Sequence, residues 1–410
     1  MEQGKHENEP RDTYNIAYII HFLLGAGNLL PWNALITAVD YFSYLYPTQH
    51  IDKVFSVAYM TSSLPVLVLM MSCGRWCKIP SFRWRTSLGF TMFFLSLIVP
   101  PVLDWTHHTH GHQWRLDAAY SVIVVAVVVC GLADGLIAGS LVGSAGMLPK
   151  RFMQAVFTGT ASSGVLVSIL RIITKASLPH TPQGLKTSAH LYFGVSTIII
   201  LGCIVCCNVL QGLPVMRHYR EKTPLAPKVH VSQSSTFLHT VPDPIPCASI
   251  SEVAKKIRWS AFGIFLIYLV TLSIFPGYIT ENVKSELLRD WYPIFLITTY
   301  NVTDLVGKSL TAIYVPNSTA KTSWACIARL FFYPLFTACL HGPRWLRTEV
   351  PVVFLTAALG LTNGYLTSIL MILAPKSVPV SEAETAGIVM VLFLGIGLVG
   401  GSVLGWLWII

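Results

Sequence analysis

The residues best suited to chemistry lie in one run, TTYNVTDLVGKSL, at positions 298–310. Asp304 and Lys308 follow Asn301 by three and seven positions, a spacing that places all three on one face of a helix. An amide, a carboxylate and an ammonium would then point the same way, which suits the binding of a polar solute. Asp304 and Lys308 can also pair along the helix. We favour contact with a substrate, and a purely structural ion pair is the alternative.

A second carboxylate, Asp134, interrupts the apolar run at 119–148. A carboxylate in such surroundings is costly unless it is paired or in contact with water, so Asp134 is a candidate site that could couple a proton. An ion pair with Arg171 or Arg329 is the alternative. The same run has a glycine at every fourth position, which places the glycines near one helix face and predicts close helix packing, with a sliding or pore-facing surface as the alternative. These glycines are Gly131, Gly135, Gly139 and Gly143.

An aromatic residue beside a proline marks a third candidate, in the run LLGAGNLLPWN. Pro31 removes one backbone hydrogen bond, so we expect the helix to open locally there, and Trp32 offers a flat surface for stacking. Packing or anchoring at the membrane interface is an equal alternative for Trp32. A similar polar interruption occurs at Asn363 and Gly364.

The elements that must position these residues are helices within a membrane. The 410-residue chain is 53% hydrophobic and only 11% charged, with a mean hydropathy of +0.60. Soluble domains carry about 25% charged residues. A soluble enzyme is therefore excluded. Since basic residues of membrane proteins usually lie in loops, the net charge of +9 does not indicate a nucleic-acid partner.

Eleven apolar stretches are long enough to cross a bilayer, which predicts an all-α polytopic membrane protein. They lie near 15–45, 54–72, 87–103, 119–148, 152–176, 190–213, 257–280, 291–314, 323–341, 350–374 and 383–410. Counting Lys and Arg between the spans gives 17 on the side of the N-terminus and eight on the other. This bias predicts a cytoplasmic N-terminus and an extracellular C-terminus.

The spans divide six and five around a polar segment, which predicts two helical bundles. We expect a cytoplasmic tail at 1–14, a six-helix bundle at 15–213, a mobile cytoplasmic linker at 214–256 and a five-helix bundle at 257–410. Within the linker, 222–248 is expected to be dispensable for transport, with regulatory phosphorylation at Ser232, Ser234 or Ser235.

Sequence motifs typical of other function classes are incomplete or absent. The triplet Gly307-Lys308-Ser309 resembles the end of a phosphate-binding loop, but Val302 stands where the first glycine should be. No HExxH or GxSxG run occurs. The histidines at 107, 108, 110 and 112 are better explained by a solvated loop than by a metal site. We therefore expect neither an enzyme nor a cofactor.

Six runs in register resemble the equilibrative nucleoside transporter family, and the finer detail resembles its plant branch. The runs are LLPWN, AGSLVGSAGMLP, DLVGKSLTAI, ARLFFYPLF, NGYL and AETAGIVM, and together they cover nearly the whole chain. The resemblance implies eleven helices in an arrangement like the major facilitator superfamily, and movement of nucleosides by alternating access.

The resemblance also carries substrate contacts to particular residues of this chain. It assigns Leu29 and Trp32 in the first span, and Asn301, Asp304 and Lys308 in the eighth, to substrate binding. Two residues depart from the pattern of the family's animal members. Lys308 replaces the arginine usual in animal members, which affects ribose geometry or coupling. Ala138 replaces a glutamine that could read the base, which leaves base preference open.

The leading functional hypothesis is a nucleoside carrier, acting as a uniporter or a proton-coupled symporter. Its partners would be a nucleoside substrate, the lipid bilayer and, for a symporter, protons. We expect a monomer, located in the plasma membrane. A carrier of nucleobases or organic cations is the alternative within transport. An integral membrane enzyme, a scaffold and a receptor are alternatives of other classes, disfavoured because no catalytic constellation and no folded soluble domain is recognisable.

Overall fold

A computed structural model of the protein describes residues 12–47, 49, 51–72, 82–107, 113–179, 181–222, 250–275, 285–316, 319–343 and 346–405. Throughout these ranges the regular structure is helical. The helices of the first part are α1 (Ile16–Thr37), α2 (Val39–Leu45), α3 (Ile51–Ser72), α4 (Phe82–His107), α5 (Gln113–Gly146), α6 (Lys150–Ser177), α7 (Pro182–Leu210) and α8 (Pro214–Lys222). Those of the second part are α9 (Ile250–Lys256), α10 (Arg258–Ile274), α11 (Tyr292–Leu310), α12 (Thr319–Ala328), α13 (Phe332–His341), α14 (Glu349–Lys376) and α15 (Val380–Leu404).

The described ranges contain nine helices that are long and apolar enough to cross a membrane, and a tenth if α9 and α10, which meet at a 76° bend, form one span. α11 occupies the eighth predicted span but is not among them, because the polar residues in its sequence lower its hydropathy. The prediction of an all-α polytopic membrane protein is confirmed. The count of eleven spans stays a prediction.

Two predicted spans are interrupted in the structure. The first, predicted as 15–45, is two helices that meet at Ala38, and α1 continues through Pro31 instead of opening there. The ninth, predicted as 323–341, consists of α12 and α13 joined by a 3-10 turn at Arg329–Phe331. These breaks were not predicted, because hydropathy measures how apolar a segment is and not how continuous its helix is.

The predicted linker at 214–256 is helical at both ends, where α8 and α9 lie. Val215, Met216 and Val253 are buried, because these short helices each have apolar residues that pack against the helical core. The two ends of the predicted linker are therefore packed helices rather than linker. Its middle, 223–249, lies outside the described residues, as do the tail at 1–11 and residues 406–410.

The glycines of α5 are positions of close packing, as the four-residue spacing predicts. A Cβ added to Gly131 or Gly135 would collide with the backbone of α3, at Tyr59 and Ser63 respectively. A Cβ on Gly143 would meet the side chain of Glu384 on α15, at 3.1 Å. One row of glycines therefore packs against α3 and, further along, against α15.

The N-terminal helices (α1–α7) and the C-terminal helices (α10–α15) contact each other near both ends of the molecule. We call the end at which α6 begins the Lys150 end, and the end at which it finishes the Lys175 end. Near the Lys175 end, the Lys175 ammonium donates to the Asp290 carbonyl just before α11, at 2.8 Å. Near the Lys150 end, α5 packs against α15, with Gly146 beside Ala383. The polar face of α11 is enclosed between these contacts.

Candidate functional site

The polar face predicted for α11 is present, with Asp304 and Lys308 buried and Asn301 half-buried. The Nζ of Lys308 lies 2.8 Å from Oδ2 of Asp304, and the two side chains are 4% and 9% exposed. The predicted pairing along the helix is therefore confirmed. A buried pair of this kind contributes little net stability, because desolvation of both charges offsets their attraction. Its presence on a face turned toward another helix is consistent with a binding role.

Asp304 has a second partner, which the sequence did not predict. The Nδ2 of Asn363 on α14 donates to Oδ1 of Asp304 at 2.7 Å. The Oγ1 of Thr271 on α10 donates to Oδ1 of Asn363 at 2.9 Å, and Arg329 donates to Oγ1 of Thr271 at 2.7 Å. All five polar side chains of this group, including Lys308, are buried. Asn363 was recognisable as a polar interruption of an apolar span, whereas Thr271 carried no signal.

Helix α6 faces this group from the N-terminal side. The Nδ2 of Asn301 donates to the Gly164 carbonyl at 3.2 Å and to Oγ of Ser168 at 2.8 Å. The Nζ of Lys308 donates to Oγ1 of Thr160 at 3.4 Å. Hydroxyls and a carbonyl of α6 therefore occupy part of the hydrogen-bonding capacity of the α11 face, at the position where a solute between the helices would lie.

The two candidates on α1 lie in a different group. Trp32 and Leu29 are partly buried, and the Trp32 ring packs on the Tyr59 ring of α3 with 4.9 Å between centroids. Within the described ranges, no hydrogen bond, ion pair or ring contact joins either residue to Asp304. Helix α6 packs against both α1 and α11, so the two groups lie on helices that share α6 as a neighbour.

Asp134 has a neighbour other than the two arginines considered for it. The hydroxyl of Tyr59 faces the Asp134 carboxylate. No ion pair to Asp134 is found among the residues that the structure describes. The alternative of an ion pair with Arg171 or Arg329 is not found, since Arg329 donates to α10 and α14 and Arg171 donates to Asp40.

Arg171 belongs to a cavity of about 100 Å³ near the Lys175 end. Its Nη2 lies 2.7 Å from Oδ2 of Asp40, and its Nη1 donates to the Thr37 carbonyl at 3.1 Å. Lys175 and Ile294 also line this cavity, so it lies where α6 approaches α11. These contacts hold the Lys175 end together and do not reach the Asp304 group.

The described residues provide no cluster of three or more His, Cys, Asp or Glu side chains that could hold a metal ion. The histidines at 108, 110 and 112 lie outside those residues. The triplet that resembles a phosphate-binding loop is part of α11. There Gly307 packs against the backbone of α14 at Leu361, and Lys308 is bound to Asp304. The triplet is therefore part of a contact between two helices and not a loop that could surround a phosphate.

Comparison with known proteins identifies relatives over the whole chain. A model of the nucleoside transporter family matches residues 124–410. Equilibrative nucleotide transporter 8 of Arabidopsis thaliana is 58% identical over 404 residues, covering 98% of each chain. Equilibrative nucleotide transporter 1 of the same plant is 50% identical over 408 residues, covering 100% of this chain and 89% of its own.

Solved structures share the fold at low sequence identity. The Escherichia coli fucose:proton symporter has a TM-score of 0.56 at 12% identity, covering 97% of this chain and 95% of its own. A bacterial homologue of the iron transporter ferroportin, in an outward-facing state, has a TM-score of 0.60 at 13% identity, covering 92% and 89%. The architecture is therefore that of the major facilitator superfamily, to which the fucose symporter belongs.

These findings agree with the site, which offers a polar face between two sets of helices. Since its relatives are transporters, the chain is an integral membrane transporter and not an enzyme. With a family match over residues 124–410 and plant relatives at 50% and 58% identity, it belongs to the nucleoside transporter family, as a member of plant type.

Proposed function

We propose that the protein carries ribonucleosides by alternating access, with Asp304 accepting hydrogen bonds from the ribose hydroxyls. The observation that carries this proposal is the small number of hydrogen bonds that the Asp304 carboxylate accepts. Each of its oxygens accepts one hydrogen bond, from Asn363 and from Lys308. A carboxylate has about four lone-pair positions, so capacity remains for a pair of vicinal hydroxyls. The α11 face lies between the two sets of helices, where a midplane site is expected.

An uncharged nucleoside fits this group better than a nucleotide. Lys308 is already paired with Asp304, and Arg329 is held by Thr271 and by α14. A phosphate would need a cation that is free to approach it, and these two are committed. Trp32 and Leu29, both partly buried, would contribute an aromatic and apolar wall for the base.

Proton coupling is a second element of the proposal, and Asp134 is the residue that would carry it. No ion pair to Asp134 is found in the described part of the chain, and its neighbour Tyr59 is neutral. A carboxylate inside a membrane protein without a counterion favours binding a proton. Uniport is the alternative, and a carrier of nucleobases or organic cations is the alternative in substrate class.

For the membrane arrangement, we propose a cytoplasmic N-terminus, an extracellular C-terminus and a plasma-membrane location, with the monomer as the transporting unit. The basic bias of the loops supports this orientation, in which the Lys150 end would face the cytoplasm. The sequon at Asn317 would then be cytoplasmic and unglycosylated. A glycan on Asn317, detected as a mobility shift on deglycosylation, would reverse the orientation.

Uptake by the purified protein in proteoliposomes tests the proposed substrate. Asp304→Asn should reduce uridine uptake about tenfold to a hundredfold, because a charge-assisted hydrogen bond contributes about 1.5–3 kcal/mol. Uptake of uracil and of 2′,3′-dideoxyuridine should fall far less, since these lack the ribose diol. Glu382→Gln is the matched control, because Glu382 pairs with the half-exposed Lys256. Equal losses for all three solutes would make Asp304 structural and remove the ribose role.

A further inference from the structure

Arg329 is a buried cation without a carboxylate partner in the described ranges. It is 2% exposed, and its guanidinium donates to Oγ1 of Thr271, to the hydroxyl of Thr362 and to the Leu359 carbonyl. An arginine keeps its charge in a protein, so burying it without an opposite charge is costly. Packing alone does not account for a guanidinium at this position, since an apolar side chain of similar volume would avoid that cost.

The partners of Arg329 lead directly to Asp304. Arg329 donates to Thr271 at 2.7 Å, Thr271 donates to Asn363 at 2.9 Å, and Asn363 donates to Asp304 at 2.7 Å. Every hydrogen bond in this chain points the same way. It begins at a group that can only donate and ends at one that, when ionised, can only accept. Hydrogen bonds aligned in this manner polarise and strengthen one another.

The chain fixes the orientation of the Asn363 side chain. An amide can turn by half a rotation and exchange its oxygen for its NH₂ group. The Thr271 hydroxyl shares its one proton between the Ile267 carbonyl at 2.8 Å and the amide oxygen of Asn363 at 2.9 Å, and the NH₂ group is left for the Asp304 carboxylate. In the opposite orientation the amide oxygen would face the carboxylate, and the two acceptors would repel each other. The carboxylate would then have to rotate away from its present position.

We propose that Arg329 and Thr271 are positioning residues, which act through Asn363 to hold the Asp304 carboxylate in the orientation that accepts the ribose hydroxyls. This inference rests on the proposed role of Asp304. The participants come from α10, α11, α14 and the 3-10 turn between α12 and α13, so all belong to the C-terminal helices. The partners that orient the Asp304 carboxylate therefore all belong to the C-terminal helices, and none belongs to the N-terminal helices.

Replacing Thr271 tests the chain with little change in volume. Thr271→Val removes the hydroxyl that links Arg329 to Asn363, and Thr271→Ser, the matched control, retains it. In proteoliposomes, Thr271→Val should raise the KM for uridine about threefold to tenfold, the effect of one neutral hydrogen bond. The KM for 2′,3′-dideoxyuridine and the maximal rates should stay within about twofold of the unmodified protein, and Thr271→Ser should behave like the unmodified protein.

A second pair of variants makes the same comparison at Arg329. Arg329→Lys keeps a cation that can only donate, whereas Arg329→Gln introduces an oxygen that can accept from Thr271 and so reverse the chain. The KM for uridine divided by the KM for 2′,3′-dideoxyuridine should be closer to the value of the unmodified protein in Arg329→Lys than in Arg329→Gln. If Thr271→Val fails to reach the membrane, the two Arg329 variants test the proposal in its place. A ratio unchanged in both Thr271→Val and Arg329→Gln would overturn the proposal.

Asp304→Asn, measured alongside, separates this inference from the proposed function. Asp304→Asn is expected to raise the ratio of the KM for uridine to the KM for dideoxyuridine. If it does so and the Thr271 and Arg329 variants do not, Asp304 binds the ribose without help from the chain of hydrogen bonds. If Asp304→Asn leaves the ratio unchanged, the ribose role itself is wrong, and the positioning role is withdrawn with it.

Discussion

Arg85 on α4 and Glu384 on α15 form an ion pair, with 2.8 Å between Nη2 and Oε1. The pair joins an N-terminal helix to a C-terminal helix at the Lys150 end, with Arg85 8% exposed and Glu384 34% exposed. It lies beside the packing of Gly143 against Glu384 and Ile388. Opening this end of the molecule must break the ion pair, whose arginine is shielded from solvent by protein.

Exchanging these two charges tests whether the pair controls opening. Arg85→Glu and Glu384→Arg should each reduce uridine uptake about fivefold or more, because each places like charges together at a partly buried site. The double variant with both changes should recover most of the uptake, since the pair is restored in reverse. Uptake in proteoliposomes at equal protein content is the measurement. A double variant no better than the single ones would show that the pair does not act as a unit.

Lys308 should tolerate arginine better than alanine. Its ammonium contacts Asp304 on its own helix and Thr160 on α6. Lys308→Arg retains the charge, whereas Lys308→Ala leaves the buried Asp304 carboxylate without a counterion, at a cost of about 3–5 kcal/mol. Uridine uptake should fall several-fold in the first variant and below detection in the second. Comparable losses in the two variants would mean that the shape of Lys308 matters more than its charge.

The packing of α1 against α6 depends on glycine, and this can be tested by stability. A Cβ on Gly159 would collide with the backbone of α1 at Phe22. Gly159→Ala should therefore lower the thermal midpoint of the detergent-purified protein by several degrees, as overpacking costs about 1–3 kcal/mol. Gly194 on α7 is the control, since a methyl group there would meet no neighbouring atom of the described residues within 4 Å. Gly194→Ala should leave the midpoint unchanged or slightly raised, and equal losses at the two positions would contradict the packing argument.

Replacing Asp134 should affect uptake driven by a pH gradient and leave passive exchange intact. If its carboxyl binds the coupled proton, Asp134→Asn should abolish accumulation of uridine driven by an acidic exterior and should retain exchange without a gradient. Tyr59→Phe keeps the carboxylate and serves as the control. Uptake with and without a pH gradient is the measurement. Accumulation that persists in Asp134→Asn would assign coupling to another residue, and a parent protein insensitive to the gradient would be a uniporter.

Local spacing was sufficient to predict the face of α11 and its internal ion pair. Residues four positions apart on a helix are neighbours whatever the rest of the fold does, so the contact between Asp304 and Lys308 followed from sequence alone. The close packing of the α5 glycines followed for the same reason. Both predictions use only the geometry of a single helix.

Contacts between helices were not predictable in this way. The sequence does not specify which helices are adjacent, and neither arginine considered as an alternative partner for Asp134 pairs with it in the described residues. The link from Thr271 to Asn363 joins residues 92 positions apart. A threonine in an apolar helix usually bonds its own preceding turn, as Thr271 also does with the Ile267 carbonyl at 2.8 Å. Nothing local distinguished it from other threonines.

The glycine row of α5 has a consequence for the interpretation of sequence variants. Gly135 packs on α3, within the N-terminal helices, whereas Gly143 packs on α15, across the interface that the proposed alternating access would open. Replacement of the first is expected to reduce the abundance of folded protein, and replacement of the second to alter the turnover of protein that is present in normal amounts. Two variants, each lacking one glycine of this row, would then differ in the nature of their defect. Only the variant at Gly135 would be rescued by conditions that improve folding.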